Sequence, residues 1–178
     1  MKIRKIVLIT ASRSFVAIAA LATHDKGTVK SPNGVTFSEF KGYETWQNVA
    51  VSETDHGIKA ILGNPVTINA YKEGIPANGK PFPEGSVWVK IEWTKEPNPE
   101  SPYPVSVPGT LKSISFIEKD SKRFSDTSGY GYAQFHYDAS SRTFSAFGND
   151  SSFGKTVCYQ CHTRVAAKDY IFTHYPLR

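Results

Sequence analysis

The stretch Ser86-Val87-Trp88-Val89-Lys90-Ile91-Glu92-Trp93-Thr94 decides the fold. Val87, Val89, Ile91 and Trp93 fall on one side of an extended chain, and Trp88, Lys90 and Glu92 on the other. A period of two marks a β-strand. Residues 111–118 alternate in the same way, Leu111, Ser113, Ser115 and Ile117 against Lys112, Ile114, Phe116 and Glu118. Residues 130–137 set Tyr130, Tyr132, Gln134 and His136 against Gly131, Ala133, Phe135 and Tyr137. A further strand is predicted over 142–147, and the apolar run 58–62, stopped by Gly63, reads as a buried strand. Turn residues fill 75–85, and 96–108 is a Pro-rich surface loop.

Helices are few. Asn64-Pro65 is an N-cap followed by Pro at the first helical position, opening a helix through Ala70 that stops near Gly74. The spacing of Phe40, Tyr43, Trp46 and Gln47 predicts a helix over 38–49 with Ser38 as its cap. A short helical turn capped by Asp120 is expected over 120–124, and a late helix over 156–168. There is no repeat and no internal linker. The fold class is α+β: a small antiparallel sheet domain with flanking helices.

The 178 residues suffice for one domain with a real core. With 39% hydrophobic and 21% charged residues, the chain is neither disordered nor a membrane bundle. Residues 1–22 read as a signal peptide: Lys2, Arg4, Lys5 and Arg13 without an acid, an apolar stretch from Ile6, and a small-residue exit at Ala20-Leu21-Ala22. Ser12-Arg13-Ser14 breaks the apolar run, which argues against an uncleaved anchor. Cleavage would remove four of 21 bases and leave 17 against 16 acids over residues 23–178. The mature domain is then nearly neutral, which removes the electrostatic case for a nucleic-acid partner. Export places it in the periplasm, an oxidising compartment.

Cys158-Tyr159-Gln160-Cys161-His162 is the C-x-x-C-H pattern of covalent c-type haem attachment. On a helix, Cys158 and Cys161 point to one side and reach the two haem vinyl groups, while His162 brings an imidazole to the iron. Three plainer readings compete. A thioredoxin-like pair wants a βαβ context, a zinc site wants two more ligands, and a structural disulfide needs only a chance histidine after it. Met1 is the sole methionine and lies in the leader, so the mature chain has no methionine for a second axial ligand. His24, His56, His136 and His174 remain, each with an ordinary reading as a loop, tail or packed side chain. The haem iron is thus read as five-coordinate, which favours ligand binding or chemistry over plain electron relay.

With that motif near the end of a β-rich exported chain, the sequence resembles the cytochrome P-460 family, related to the β-sheet cytochromes c′. The resemblance runs from about Phe40 to Leu177. It rests on Ala60-Ile61-Leu62-Gly63-Asn64-Pro65, on Phe82-Pro83-Glu84-Gly85-Ser86-Val87-Trp88-Val89-Lys90 and on Lys119-Asp120-Ser121-Lys122-Arg123-Phe124. The C-x-x-C-H and the tail Tyr170-Ile171-Phe172-Thr173-His174-Tyr175-Pro176 complete it. The family implies a homodimer with one five-coordinate haem c. Some members oxidise hydroxylamine and carry a lysine joined to the porphyrin edge; the β-sheet cytochromes c′ lack that link and bind nitric oxide. Lys90 matches the cross-linking lysine, Lys59 a basic distal position, and Asp120 falls near a distal carboxylate. A solvated strand lysine, an exposed edge lysine and a helix cap are the plainer readings of these three.

One departure stands out: hydroxylamine-oxidising members carry a carboxylate shortly before the haem motif, whereas 151–157 has none and Asp150 is the nearest. Phe144, Phe147 and Phe153 read equally as an apolar wall of the haem pocket or as core. The resemblance implies an oxidoreductase acting on hydroxylamine or nitric oxide, with a small nitrogenous substrate and a periplasmic electron acceptor or donor. The alternative is a nitric oxide binder or scavenger without cross-link or turnover. An electron carrier comes third, because it needs a second axial histidine.

Overall fold

A computed structural model describes residues 28–178; the leader read over 1–22 and His24 lie outside the described residues. The chain forms one six-stranded antiparallel sheet in simple chain order: β1 (Gln47–Thr54), β2 (Gly57–Gly63), β3 (Val87–Pro97), β4 (Ser106–Lys119), β5 (Tyr130–Asp138) and β6 (Thr143–Ala146). Helix α1 (Pro65–Lys72) connects β2 to β3. The expected α+β class holds. Among the described residues no helix is long and apolar enough to cross a membrane.

Alternation divides the sheet into two buried faces. Val89, Ile114, Phe116, Ala133 and Phe135 point to one side and pack against Val35, Phe37, Phe40 and Tyr43 from the preceding segment. Phe40 stacks on Phe116 with ring centroids 4.0 Å apart, and burying one such aromatic contributes ~1.5–3 kcal/mol. Trp88, Tyr130 and Tyr132 point to the other side and pack with Val49, Ile68, Tyr71, Phe82 and Ile171. On that side Trp88 Nε1 donates to the Tyr71 hydroxyl (3.1 Å), which donates to the Thr173 carbonyl (2.9 Å). This chain of bonds docks the C-terminal tail on the sheet.

Three expectations are corrected. The helix predicted over 38–49 is two 3₁₀ turns, Phe37–Phe40 and Tyr43–Thr45, followed by β1. Gly42, at φ 87°, reverses the chain between them. The cap is Thr36 rather than Ser38, in a reciprocal box with Glu39. The loop over 96–108 is shorter than expected, because β3 extends to Pro97 and β4 begins at Ser106. The strand over 58–62 is present but half-buried, with only its terminal glycines buried.

Asn64 does cap α1, its side-chain oxygen accepting from the Thr67 N–H at 3.0 Å, with Pro65 at the first position. The late helical segment changes winding along its length: a π turn over Gly154–Tyr159, a single α turn (α2, Gln160–His162), then 3₁₀ over Thr163–Lys168. Such π turns recur at functional sites.

Candidate functional site

Strand register builds the site. Ile61, Lys90, Ser115 and Gln134 lie side by side across β2, β3, β4 and β5, in one row on the second face. Opposite this row stand the late helical segment and the tail. Between them is a cavity of ≈ 290 Å³ lined by Lys90, Ser115, Tyr132, Gln134, Cys158 and His162, with Trp88, Ile171 and Phe172 among its apolar walls. The sheet and the C-x-x-C-H segment therefore face each other across one cavity.

His162 is held in a defined state. Its Nδ1 lies 2.6 Å from the Tyr170 carbonyl oxygen. A carbonyl only accepts, so Nδ1 carries the proton and Nε2 keeps the ring's free lone pair. Burial pushes the imidazole below its ordinary pKa, the Tyr170 hydrogen bond opposing and the Lys90 charge adding. Neutral imidazole is the form that ligates a metal. The rings of Tyr132 and Phe172 flank it at 5.0 and 4.9 Å.

Cys158 is half-buried in the cavity, and burial pushes its thiol up, with Lys90 opposing. Cys161 is exposed and is not among the cavity-lining residues. The two sulfurs are not bridged to each other. Among the described residues no three His, Cys, Asp or Glu side chains gather as a metal cluster, so the zinc reading finds no ligand set.

Lys90 is half-buried, and among the described residues no ion pair or hydrogen bond holds its ammonium. Its neighbour Glu92 is instead taken by Lys112 at 3.1 Å. Burial lowers the Lys90 pKa, Glu92 opposes this, and Lys59 adds to it. Ser115 Oγ and Tyr132 Oη, both on cavity-lining residues, are buried without a partner among the described residues. Buried polar atoms in native proteins are rarely left unpaired. A cavity-lining thiol with a second, exposed thiol three residues on, an imidazole with one free lone pair, aromatic walls and orphaned hydroxyls suit a haem, so the residues present fit that group.

The other predicted residues stand further off. Lys59 lies opposite Glu92 on the Lys90 side of the sheet but does not line the cavity. Asp120 follows β4, and its Oδ1 accepts from the Lys122 and Arg123 N–H groups, each at 3.0 Å, which is the capping role. It lines a separate surface groove with Glu84 and Glu118. His56, His136 and His174 are exposed and none lines the cavity. The Phe wall does not form: Phe144 packs on the first-face core, and Phe147 and Phe153 pack on each other.

Sequence reasoning missed Ser115 and Tyr132 as cavity residues, although strand alternation places both on the Lys90 face. It also missed Tyr170 as the partner of His162, for which no local signal exists.

Two comparisons bear on the chain. The family model described as Cytochrome P460 matches residues 40–173. No curated protein matches it.

Proposed function

The chain belongs to the cytochrome P460 family and is a haem-binding cytochrome of that kind; from this premise we propose that it is an exported haem c protein that oxidises hydroxylamine, processes nitric oxide, or does both. The observation that carries the reading is Lys90, an unpartnered amine in the same cavity as Cys158 and His162. A lysine left without a counter-ion in a half-buried site costs stability. The cost is offset when the amine is neutral or bonded to a ligand.

Cys158 and Cys161 would hold the haem through thioethers and His162 Nε2 would hold its iron. The bound haem supplies a metal that takes a small ligand and exchanges electrons. The hydrogen bond from His162 to the Tyr170 carbonyl orients the imidazole and raises its basicity. Burial lowers the Lys90 pKa and so shifts its amine toward the neutral form; a link to the porphyrin edge would replace a C–H by a C–N bond and would need a two-electron oxidant from solution to take the two hydrogens. Ser115 offers a hydroxyl beside Lys90. Oxidation of hydroxylamine releases electrons, so this reading includes a periplasmic electron acceptor; a homodimer is the expected assembly.

One observation favours the second reading, a nitric oxide binder or scavenger without turnover. Among the described residues, no Asp or Glu lines the cavity. A carboxylate to take protons from hydroxylamine is thus not in place, whereas nitric oxide needs none.

The test is to produce the full chain in a host that matures c-type haem and to compare wild type with Lys90→Ala. A red-shifted ferrous Soret band and hydroxylamine-dependent dye reduction, both lost in Lys90→Ala with haem still attached, support turnover. An ordinary high-spin c-type spectrum with tight nitric oxide binding and no dye reduction supports the second reading. A low-spin spectrum would leave an electron carrier.

A further inference from the structure

Asp169 and Tyr170 are consecutive non-glycine residues in left-handed backbone, at φ 50° and 64°. That region is unfavourable for any residue with a Cβ, and such outliers persist only where the surroundings hold them. What the conformation achieves is visible at its far end. It directs the Tyr170 carbonyl at His162 Nδ1, 2.6 Å away.

What holds it is a cluster outside the cavity. Asp169 Oδ2 accepts from the Phe82 backbone N–H and from the Tyr130 hydroxyl, each at 2.6 Å. Asp169 Oδ1 lies 3.8 Å from Lys119 Nζ, and the two side chains are only 13% and 9% exposed. Lys119 Nζ also donates to the Ser128 carbonyl at 3.0 Å and sits 4.1 Å over the Tyr130 ring. The same Ser128 donates through Oγ to the Tyr170 hydroxyl at 2.9 Å. Asp169 is therefore pinned by the buried side chains of Lys119 from β4 and Tyr130 from β5, and Tyr170 by the exposed Ser128 in the turn between those strands. None of Asp169, Lys119 and Tyr130 lines the cavity. The route from them to the site runs through the Tyr170 carbonyl.

We propose that Asp169, held by Tyr130 and Lys119, is a positioning residue that presses the Tyr170 carbonyl against His162 and so sets the electron donation of the axial imidazole. This rests on the reading of His162 as the haem ligand. Partners behind a ligating histidine fix its ring and raise its basicity. A more basic axial ligand stabilises the oxidised iron over the reduced iron, so the cluster holds the reduction potential down.

The experiment measures the haem reduction potential and the ferrous iron–histidine stretching band in holoprotein carrying Asp169→Asn or Tyr130→Phe. Tyr130→Phe deletes one hydroxyl while leaving the ring in the core and under Lys119. It decides the question if Asp169→Asn fails to fold. Asn64→Ala, at the cap of α1, serves as a control for simple loss of stability and keeps the wild-type potential.

The expected result is a tenfold shift toward the reduced iron for Asp169→Asn, an upward change of about 59 mV. The stretching band moves to lower frequency, and Tyr130→Phe changes both in the same direction by less. Wild-type potential and band position in folded, haem-loaded variants would overturn the inference while leaving the haem reading intact. Absence of covalent haem from the wild type would overturn the haem reading itself, and this inference with it.

Discussion

Replacing Glu118 by glutamine separates the electrostatics of the two sheet faces. Glu118 follows Ile114 and Phe116 on the first face, away from Lys90, and its side chain is 13% exposed. Arg123 lies 3.1 Å from it, but the same guanidinium nitrogen is 2.8 Å from Glu39. One cation cannot compensate two carboxylates equally. Burial pushes the Glu118 carboxyl up to about 7, with Arg123 opposing and Glu39 and Asp120 adding. Glu39, against the opposing effect of its own burial, is held below its ordinary value by the hydrogen bond from Arg123.

The sign follows from proton counting. Between pH 4.5, where the unfolded carboxyl ionises, and about 7, the folded chain holds a proton that the unfolded chain has lost. Stability contributed by Glu118 is therefore complete below 4.5 and is lost as pH rises through about 7. At ~1.4 kcal/mol for each pH unit the loss is about 3 kcal/mol. Urea unfolding at pH 5 and pH 8 measures it. Wild type should lose about 3 kcal/mol more than Glu118→Gln between these values. The haem spectra of the two proteins should stay superimposable across the range. An equal pH response in both proteins would refute the reasoning, as would a spectral difference that tracks Glu118.

Two further outcomes follow from close packing and from capping. In Gly131→Ala the new Cβ would sit 2.3 Å from the Phe124 ring, so overpacking should cost ~1–3 kcal/mol in urea unfolding. An unchanged midpoint would mean that the turn after β4 gives way freely. Asn64→Ala removes the acceptor for the Thr67 and Val87 N–H groups and the donor to the Gly85 carbonyl, and should cost ~1–2 kcal/mol with haem content unchanged.

Strands β3, β4 and β5 were legible because one face of each packs apolar groups such as Val89, Ile114, Phe116 and Phe135, while the other carries Lys90, Ser115 and Gln134 to the cavity, so the period of two survives. That same alternation put Lys90 on the face away from Val89 and Ile91, where the structure places it. The region 38–49 misled for a physical reason. Phe37, Phe40 and Tyr43 repeat every three residues, which 3₁₀ turns satisfy as well as an α-helix does. β1 escaped notice because it lies at the sheet edge, and Ser52, Glu53 and Thr54 are exposed and carry no pattern. Asp120 showed the limit of a residue type at a plausible position: one carboxylate suits a cap or a proton relay, and only the hydrogen bonds to Lys122 and Arg123 describe which geometry it adopts.

The strap behind His162 was illegible for a different reason. Left-handed backbone is usually announced by glycine, yet here the positions are Asp169 and Tyr170. The groups that hold Asp169 lie 87 and 39 residues earlier in the chain. No local pattern records such an arrangement; it exists only once the sheet has formed. The opposite holds for Lys90. A slip of one residue in β3 would turn Lys90 into the first core and expel Val89 and Ile91, so burial of those two enforces the position of the lysine. The residue that faces the cavity thus does nothing to set its own register. Substituting Lys90 should therefore leave the sheet intact, and a change in haem chemistry in that variant can be assigned to the amine itself.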